Sequence, residues 1–75
     1  MERYKNLGRD SGVIGYETND DSIVVYFRDE SKYLYDYRSS GRMNVERMKK
    51  LAARGSGLNQ FINEQVKDRY AAKLR

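Results

Sequence analysis

The chain has 75 residues, of which 15 are Lys or Arg, 11 are Asp or Glu and seven are Tyr, and it contains no Cys, His, Trp or Pro. This length predicts one small domain, residues 1–75, with a single thin core. The absence of Cys and His excludes the usual zinc sites, Ser-His and Cys-His nucleophile pairs, and disulfides. We therefore expect a protein that is not an enzyme and that holds no metal or other cofactor.

Basic residues are concentrated in the second half of the chain. Residues 1–37 carry five basic and eight acidic side chains, whereas residues 38–75 carry ten basic and three acidic ones. A surface of one sign attracts polyanions such as nucleic acids, although ordinary solubility charge explains the same counts. The longest apolar run, residues 23–27, is too short for a membrane span or a signal peptide. We therefore expect a soluble, cytoplasmic protein with no membrane partner.

Three strands are predicted in the first half of the chain. Residues 1–12 lack a hydrophobic period and are predicted to be an irregular lead-in. Apolar and aromatic residues dominate segments 13–18 and 22–28, and the turn-forming residues 19–21 separate them. Alternation of apolar and polar residues resumes at 32–37. These segments predict a three-stranded antiparallel meander.

The second and third predicted strands are expected to form a hairpin around a turn at residues 29–31. In the register that joins their apolar sets, the facing pairs are Phe27 with Tyr33, Val25 with Tyr35, and Ile23 with Tyr37. All six side chains then share the face of the sheet that the helices cover. The opposite face carries Val24, Tyr26 and Leu34.

A first helix is predicted after a loop at residues 38–41. Apolar residues recur at three- and four-residue spacing within segment 45–52. This spacing predicts a helix that begins at Arg42 or Asn44 and ends at Arg54, just before a glycine suited to a helix C-cap.

A second helix is predicted to begin after residues 56–57. Its apolar stripe consists of Leu58, Phe61, Ile62, Val66 and Tyr70. We expect Phe61 to be an anchor of the core. Three strands followed by two helices predict an α+β fold in which both helices pack on one face of the sheet.

The ordered motifs of these segments resemble a known family. The motifs are Ile23-Val24-Val25-Tyr26-Phe27, Tyr33-x-Tyr35, and Asn63-x-x-Val66-Lys67-x-x-Tyr70. The chain is similar over residues 13–70 to the KTSC domain family, which occurs at the C-terminus of some lysyl-tRNA synthetases and as stand-alone small bacterial proteins. Unlike many relatives, it has no Pro after the Tyr-x-Tyr strand and no Gly in the hairpin. The resemblance implies RNA binding, which the synthetase context suggests.

The first predicted helix carries the main candidate site. At about 100° per residue, Arg47, Lys50 and Arg54 form a basic stripe opposite the apolar side of the helix. Such a stripe is sufficient to bind a phosphate backbone without sequence specificity, and the alternative is an ordinary solvated face. The predicted nucleic-acid site also includes Lys67, from the basic half, and Tyr26, whose ring is the candidate for base stacking.

Two functions are consistent with these features. The first is a small non-enzymatic module that binds RNA or single-stranded nucleic acid weakly through its basic C-terminal half. The alternative is a protein–protein interaction or self-association module, such as a homodimer, with no nucleic-acid role. The alternative would use strand edges and the apolar patch of Val24, Tyr26 and Leu34.

Overall fold

A five-stranded antiparallel sheet with helices on one face forms the α+β fold of the computed structural model, which describes residues 1–9 and 11–75. The strands lie across the sheet in chain order: β1 (Glu2–Arg3), β2 (Val13–Asn19), β3 (Ser22–Phe27), β4 (Lys32–Asp36) and β5 (Ala72–Lys73). Between β4 and β5 are α1 (Tyr37–Ser40), α2 (Arg42–Arg54), α3 (Leu58–Phe61) and a π turn (Ile62–Val66) that continues α3. The predicted α+β class is confirmed.

The sheet has two short edge strands that the sequence patterns do not predict. β1 pairs with Gly15 and Tyr16 of β2, and β5 pairs with Tyr33 and Leu34 of β4. Strands of two residues are too short to show an alternating pattern, so only backbone pairing defines them. The predicted three-stranded meander is therefore the centre of a wider sheet.

The predicted irregular lead-in at residues 1–12 is wrong at Glu2–Arg3, which form β1, and the next residue, Tyr4, anchors the segment. The Tyr4 side chain is buried in the core, at 4% exposure. Its hydroxyl accepts a hydrogen bond from the backbone N–H of Leu58 at 3.3 Å. The N-terminal segment is thereby attached to the start of α3.

The predicted register of the β3–β4 hairpin is wrong by two residues. Val25 lies opposite Tyr33, and Ile23 lies opposite Tyr35. A shift of two residues leaves every side chain on its predicted face, because side-chain direction alternates with a period of two. Ile23, Val25 and Tyr35 are accordingly buried.

Local hydrogen bonds at the hairpin turn explain this register. The N–H of Phe27 donates to the carbonyl of Ser31 at 2.8 Å, so the loop is 28–30 rather than 29–31. Asp29 accepts from the N–H of Ser31 at 3.0 Å, and Glu30 adopts a left-handed backbone with φ of 73°. A three-residue loop that ends in a left-handed residue is a common hairpin connection.

The third long strand ends earlier than predicted, so Tyr37 does not pair with Ile23. The Asp36 carboxylate accepts from the N–H of Ser39 at 2.8 Å, and the Ser39 hydroxyl accepts from the N–H of Asp36 at 3.1 Å. This reciprocal cap begins α1 at Tyr37, where the sequence predicts strand and then loop. Tyr37 consequently leaves the sheet.

Helix α2 agrees with the predicted bounds, but the second helix does not. Gly55 ends α2 in a left-handed conformation with φ of 86°. The second helix widens into the π turn and stops before Lys67, whose φ is 41° and ψ is −107°. Tyr70 therefore lies beyond the helix and not on its apolar stripe.

One core lies between the sheet and the helices. It consists of Tyr4, Val13, Ile23, Val25, Tyr35, Val45, Met48, Leu51, Ala52, Leu58, Ile62 and Val66. Phe61, predicted to be a core anchor, is only half-buried against this cluster. Leu58, Ile62 and Val66 occupy the centre of the stripe, and Phe61 lies at its margin. Within the described ranges, no helix is long and apolar enough to cross a membrane.

Truncation of Leu58 and of Phe61 should therefore have different effects on stability. Leu58→Ala removes a fully buried side chain and should lower the free energy of unfolding by about 2–5 kcal/mol, whereas Phe61→Ala should cost clearly less. Urea unfolding followed by circular dichroism measures both. Equal losses for the two variants would contradict the half-buried position of Phe61.

Candidate functional site

The exposed side of α2 carries three cations, Arg47, Lys50 and Arg54, which we call the basic face. All three are exposed, whereas Val45 and Met48 on the other side of the helix are fully buried. The guanidinium of Arg54 donates to the hydroxyl of Ser56 at 3.1 Å, which holds it against the turn between α2 and α3. The structure thus brings these three predicted site residues together.

The single acidic residue of α2, Glu46, is bound on the flank of the helix next to Tyr37. The Tyr37 hydroxyl donates to its carboxylate at 2.6 Å, and the Lys49 ammonium lies 3.0 Å from the same oxygen. These contacts, the Tyr37 hydrogen bond first, hold the pKa of Glu46 below its ordinary value. They match its negative charge locally, so the basic face keeps its positive potential.

A groove runs beside the basic face, between α2 and α3. Met43, Glu46, Arg47, Lys50 and Phe61 line it. Met43 is 87% exposed and leaves the groove open to solvent. Phe61 is therefore the aromatic residue next to the basic face, a position that its predicted role in the core does not indicate.

Tyr26 lies on the face of the sheet opposite to α2, because it alternates with the buried residue Val25 on β3. Its hydroxyl donates to the carboxylate of Glu17, which raises the pKa of Tyr26. The Lys32 ammonium lies 5.4 Å from the centre of its ring. The structure thus places Tyr26 on its predicted face, so that the sheet separates it from the basic face.

Lys67 lies apart from α2, at the mouth of a second depression that we call the aromatic cleft. The sheet side of this cleft is formed by Phe27, Tyr33 and Tyr35. The opposite side, from the π turn and the segment after it, is formed by Asn63, Lys67, Asp68 and Tyr70. The cleft has a volume of about 340 Å³.

The rings of the aromatic cleft pack in edge-to-face and tilted pairs. Tyr33 lies 4.7 Å from Tyr70 and 5.7 Å from Phe27, measured between ring centres, and Tyr35 lies 6.3 Å from Tyr70. The sequence does not predict this arrangement, because it predicts Tyr70 on a continuous helix. No sequence signal marks the π turn that brings Tyr70 back to the sheet.

The hydroxyl of Tyr35 has an unusual environment. The side chain is 2% exposed and lines the cleft, and the described residues include no buried side-chain oxygen or nitrogen that lacks a hydrogen-bond partner, so a Tyr35 hydroxyl without a protein partner keeps contact with solvent. Burial, with smaller contributions from the phenols of Tyr33 and Tyr70, raises the pKa of Tyr35 to about 12. The hydroxyl therefore remains protonated at neutral pH and is available as a donor.

Comparison of the chain with protein-family models, with curated proteins and with solved structures finds no match. Residues 1–9 and 11–75 contain no group of three or more His, Cys, Asp or Glu side chains that could hold a metal ion. The basic face and the aromatic cleft are the two candidate sites.

The raised pKa of Tyr35 predicts a loss of stability at alkaline pH. The unfolded phenol ionises near pH 10 and the folded one near 12, so the unfolded state binds fewer protons between these values. The contribution of Tyr35 is complete below pH 10 and is lost as pH rises to about 12, with an upper limit of ~3 kcal/mol. Urea unfolding at a series of alkaline pH values should show a smaller loss in Tyr35→Phe. The same pH dependence in both proteins would contradict the assignment.

Proposed function

We propose that this protein is a small non-enzymatic module that binds cytoplasmic RNA or other single-stranded nucleic acid through the basic face of α2. The observation that carries the proposal is the charge arrangement of one helix. Arg47, Lys50 and Arg54 are exposed together, while Glu46, which lines the same groove as Arg47 and Lys50, is bound by Tyr37 and Lys49. An exposed basic helix face whose neighbouring acid is already paired suits a phosphate backbone.

The proposed binding is weak and not specific for sequence. Three phosphate contacts release about three counterions, and this electrostatic contribution does not depend on the bases. Phosphate contacts also fix orientation without reading sequence. We therefore expect the affinity of the basic face to depend on salt far more than on base composition.

We also propose that the chain is a stand-alone relative of the KTSC domain family. The support is that two of its motifs converge in space. Tyr33 and Tyr35 of the Tyr-x-Tyr motif line the aromatic cleft together with Asn63, Lys67 and Tyr70 of the C-terminal motif. Some of these residues are 30 or more positions apart in the sequence, yet they line the same cleft. This is expected if the two motifs form one site.

A second candidate function is self-association or protein binding through the face of the sheet opposite to α2. Its support is a row of half-buried aliphatic side chains, Val24, Leu34 and Ala72, which are neighbours across three strands. Tyr26 contributes less to this apolar surface than the sequence predicts, because its hydroxyl is bonded to Glu17. We rank this function second for that reason.

The double variant Arg47→Glu with Lys50→Glu tests the leading proposal. Fluorescence anisotropy with a labelled random RNA should give a slope of log K against log salt of about −2 for a single strand, or about −3 for a duplex, in the parent protein. The double variant should bind weakly or not at all at low salt. Its melting temperature should change little, because substitutions at exposed sites usually cost less than about 0.5 kcal/mol.

The double variant Arg3→Glu with Arg75→Glu is the matched control. It makes the same change in net charge at two exposed residues, one on β1 and one after β5. It should bind RNA more tightly than the α2 variant. Equal affinities for the two variants would show that net charge alone drives binding. No binding by the parent at low salt, together with a mass that rises with concentration in sedimentation, would favour the second function.

A further inference from the structure

The aromatic cleft combines features that the basic face does not use. The Tyr35 side chain is only 2% exposed and lines the cleft, and its hydroxyl is not a buried group without a partner, since the described residues contain no such group. The phenols of Tyr33 and Tyr70 lie close enough to influence the pKa of Tyr35. Three hydroxyl groups therefore converge on one small space.

The polar groups of the cleft suit an anion. The Lys67 ammonium and the phenol hydroxyl groups are donors, and the Asn63 amide adds further donor capacity. Positive charge also flanks the rings, because the Lys73 ammonium lies 5.7 Å from the centre of the Tyr33 ring. Arg28 lines an adjoining depression that shares Phe27 and Tyr33 with the cleft. Phosphate oxygens are the acceptors that such a set of donors binds best.

The apolar part of the cleft suits a planar ring. Phe27, Tyr33 and Tyr70 are half-buried, so part of each aromatic surface remains accessible. Unpaired bases bind to such rings by stacking or by edge contact. The volume of about 340 Å³ is at the lower end of the range for ligand sites, which limits the occupant to roughly one nucleotide.

We propose that the aromatic cleft binds a single unpaired nucleotide, with its phosphate on Lys67 and the Tyr35 hydroxyl and its base against Phe27, Tyr33 and Tyr70. This inference rests on the proposed nucleic-acid binding and names the part of the ligand that the second site receives. Asp68 at the rim supplies an acceptor, which suits an exocyclic amino group of the base.

The backbone around Lys67 supports a binding role for this residue. Its φ of 41° lies in the left-handed region, which favours glycine, and it directly follows the π turn. Strained residues and π turns are both frequent at binding and catalytic sites. Glycine would be less strained than lysine at this position. A function of the ammonium group explains why a lysine is present here.

Binding of mononucleotides tests the cleft separately from α2. Titrations of the whole protein with uridine and adenosine monophosphates, followed by two-dimensional NMR, should shift the signals of the cleft at millimolar nucleotide. The corresponding nucleosides and inorganic phosphate, each alone, should bind more weakly. Tyr35→Phe removes only the free hydroxyl and should weaken nucleotide binding about tenfold, as for a lost hydrogen bond to a charged group.

Two further variants distinguish binding from folding. Tyr37→Phe is the matched control, because the Tyr37 hydroxyl is bonded to Glu46 outside the cleft, and it should leave nucleotide affinity unchanged. Lys67→Gly should weaken nucleotide binding tenfold or more without lowering the melting temperature, since glycine relieves the backbone strain. A lower affinity with a raised or equal melting temperature cannot result from unfolding.

Several outcomes would overturn the inference. They are no mononucleotide binding by the parent, equal affinity for nucleotide and nucleoside, equal affinity for nucleotide and inorganic phosphate, or Tyr35→Phe binding like the parent. The α2 double variant should retain mononucleotide binding. If the cleft fails these tests while RNA binding still depends on Arg47 and Lys50, only the cleft assignment is wrong. If mononucleotides bind but the α2 variant retains RNA affinity, the basic face is wrong instead.

Discussion

The burial of one sheet face by the helices determines the rest of the structure. Ile23, Val25 and Tyr35 form an apolar surface that the residues after β4 cover, together with Tyr4 from the N-terminal segment. Helix α2 covers it with Val45 and Met48, and this leaves the opposite side of α2 in solvent. The exposed side carries the cations because the other side is committed to the core.

The same constraint produces the aromatic cleft. Helix α3 must continue the cover over Tyr35 and then return the chain to the sheet so that β5 can pair with β4. The π turn and the left-handed Lys67 make this return within a few residues. The change in direction brings Tyr70 against Tyr33, and a space remains between the turn and the sheet. One packing requirement thus accounts for both candidate sites.

The sequence predicts those features of the fold that depend on side-chain period. Helix α2 and the division of β3 and β4 into a buried and an open face follow from periods near 3.6 and 2. The two-residue error in the hairpin register preserves these faces, so Ile23, Val25 and Tyr35 are buried although the predicted pairs are wrong. The basic face is predicted for the same reason, because Arg47, Lys50 and Arg54 follow the helical period of α2.

Features that depend on backbone geometry leave no such pattern in the sequence. The edge strands are too short to alternate, and the π turn ends the second helix at Lys67, where no glycine or proline marks the end. The predicted stripe therefore runs on to Tyr70, and the cleft that Tyr70 completes is missed. The apolar pattern predicts Phe61 in the core, whereas the structure places it at the edge of a groove. Periodicity does not determine whether a residue at the margin of an apolar stripe is buried.

The positions of the two candidate sites predict which side of the molecule contacts the ligand. We propose contacts to phosphates for the basic face, and contacts to one base and its phosphate for the aromatic cleft. Both lie on the helical side of the molecule, whereas Tyr26 and Leu34 lie on the open face of the sheet. A ligand bound by both sites should leave the open face unaffected.

The most direct test is a two-dimensional NMR titration of the labelled protein with a short single-stranded RNA at low salt. We expect shifts in the signals of the exposed side of α2, including Arg47 and Lys50, and in those of Lys67 and Tyr70 at the cleft. Signals of Tyr26 and Leu34 should remain in place. Shifts confined to the open face around Tyr26, or no shifts at any RNA concentration, would contradict this expectation.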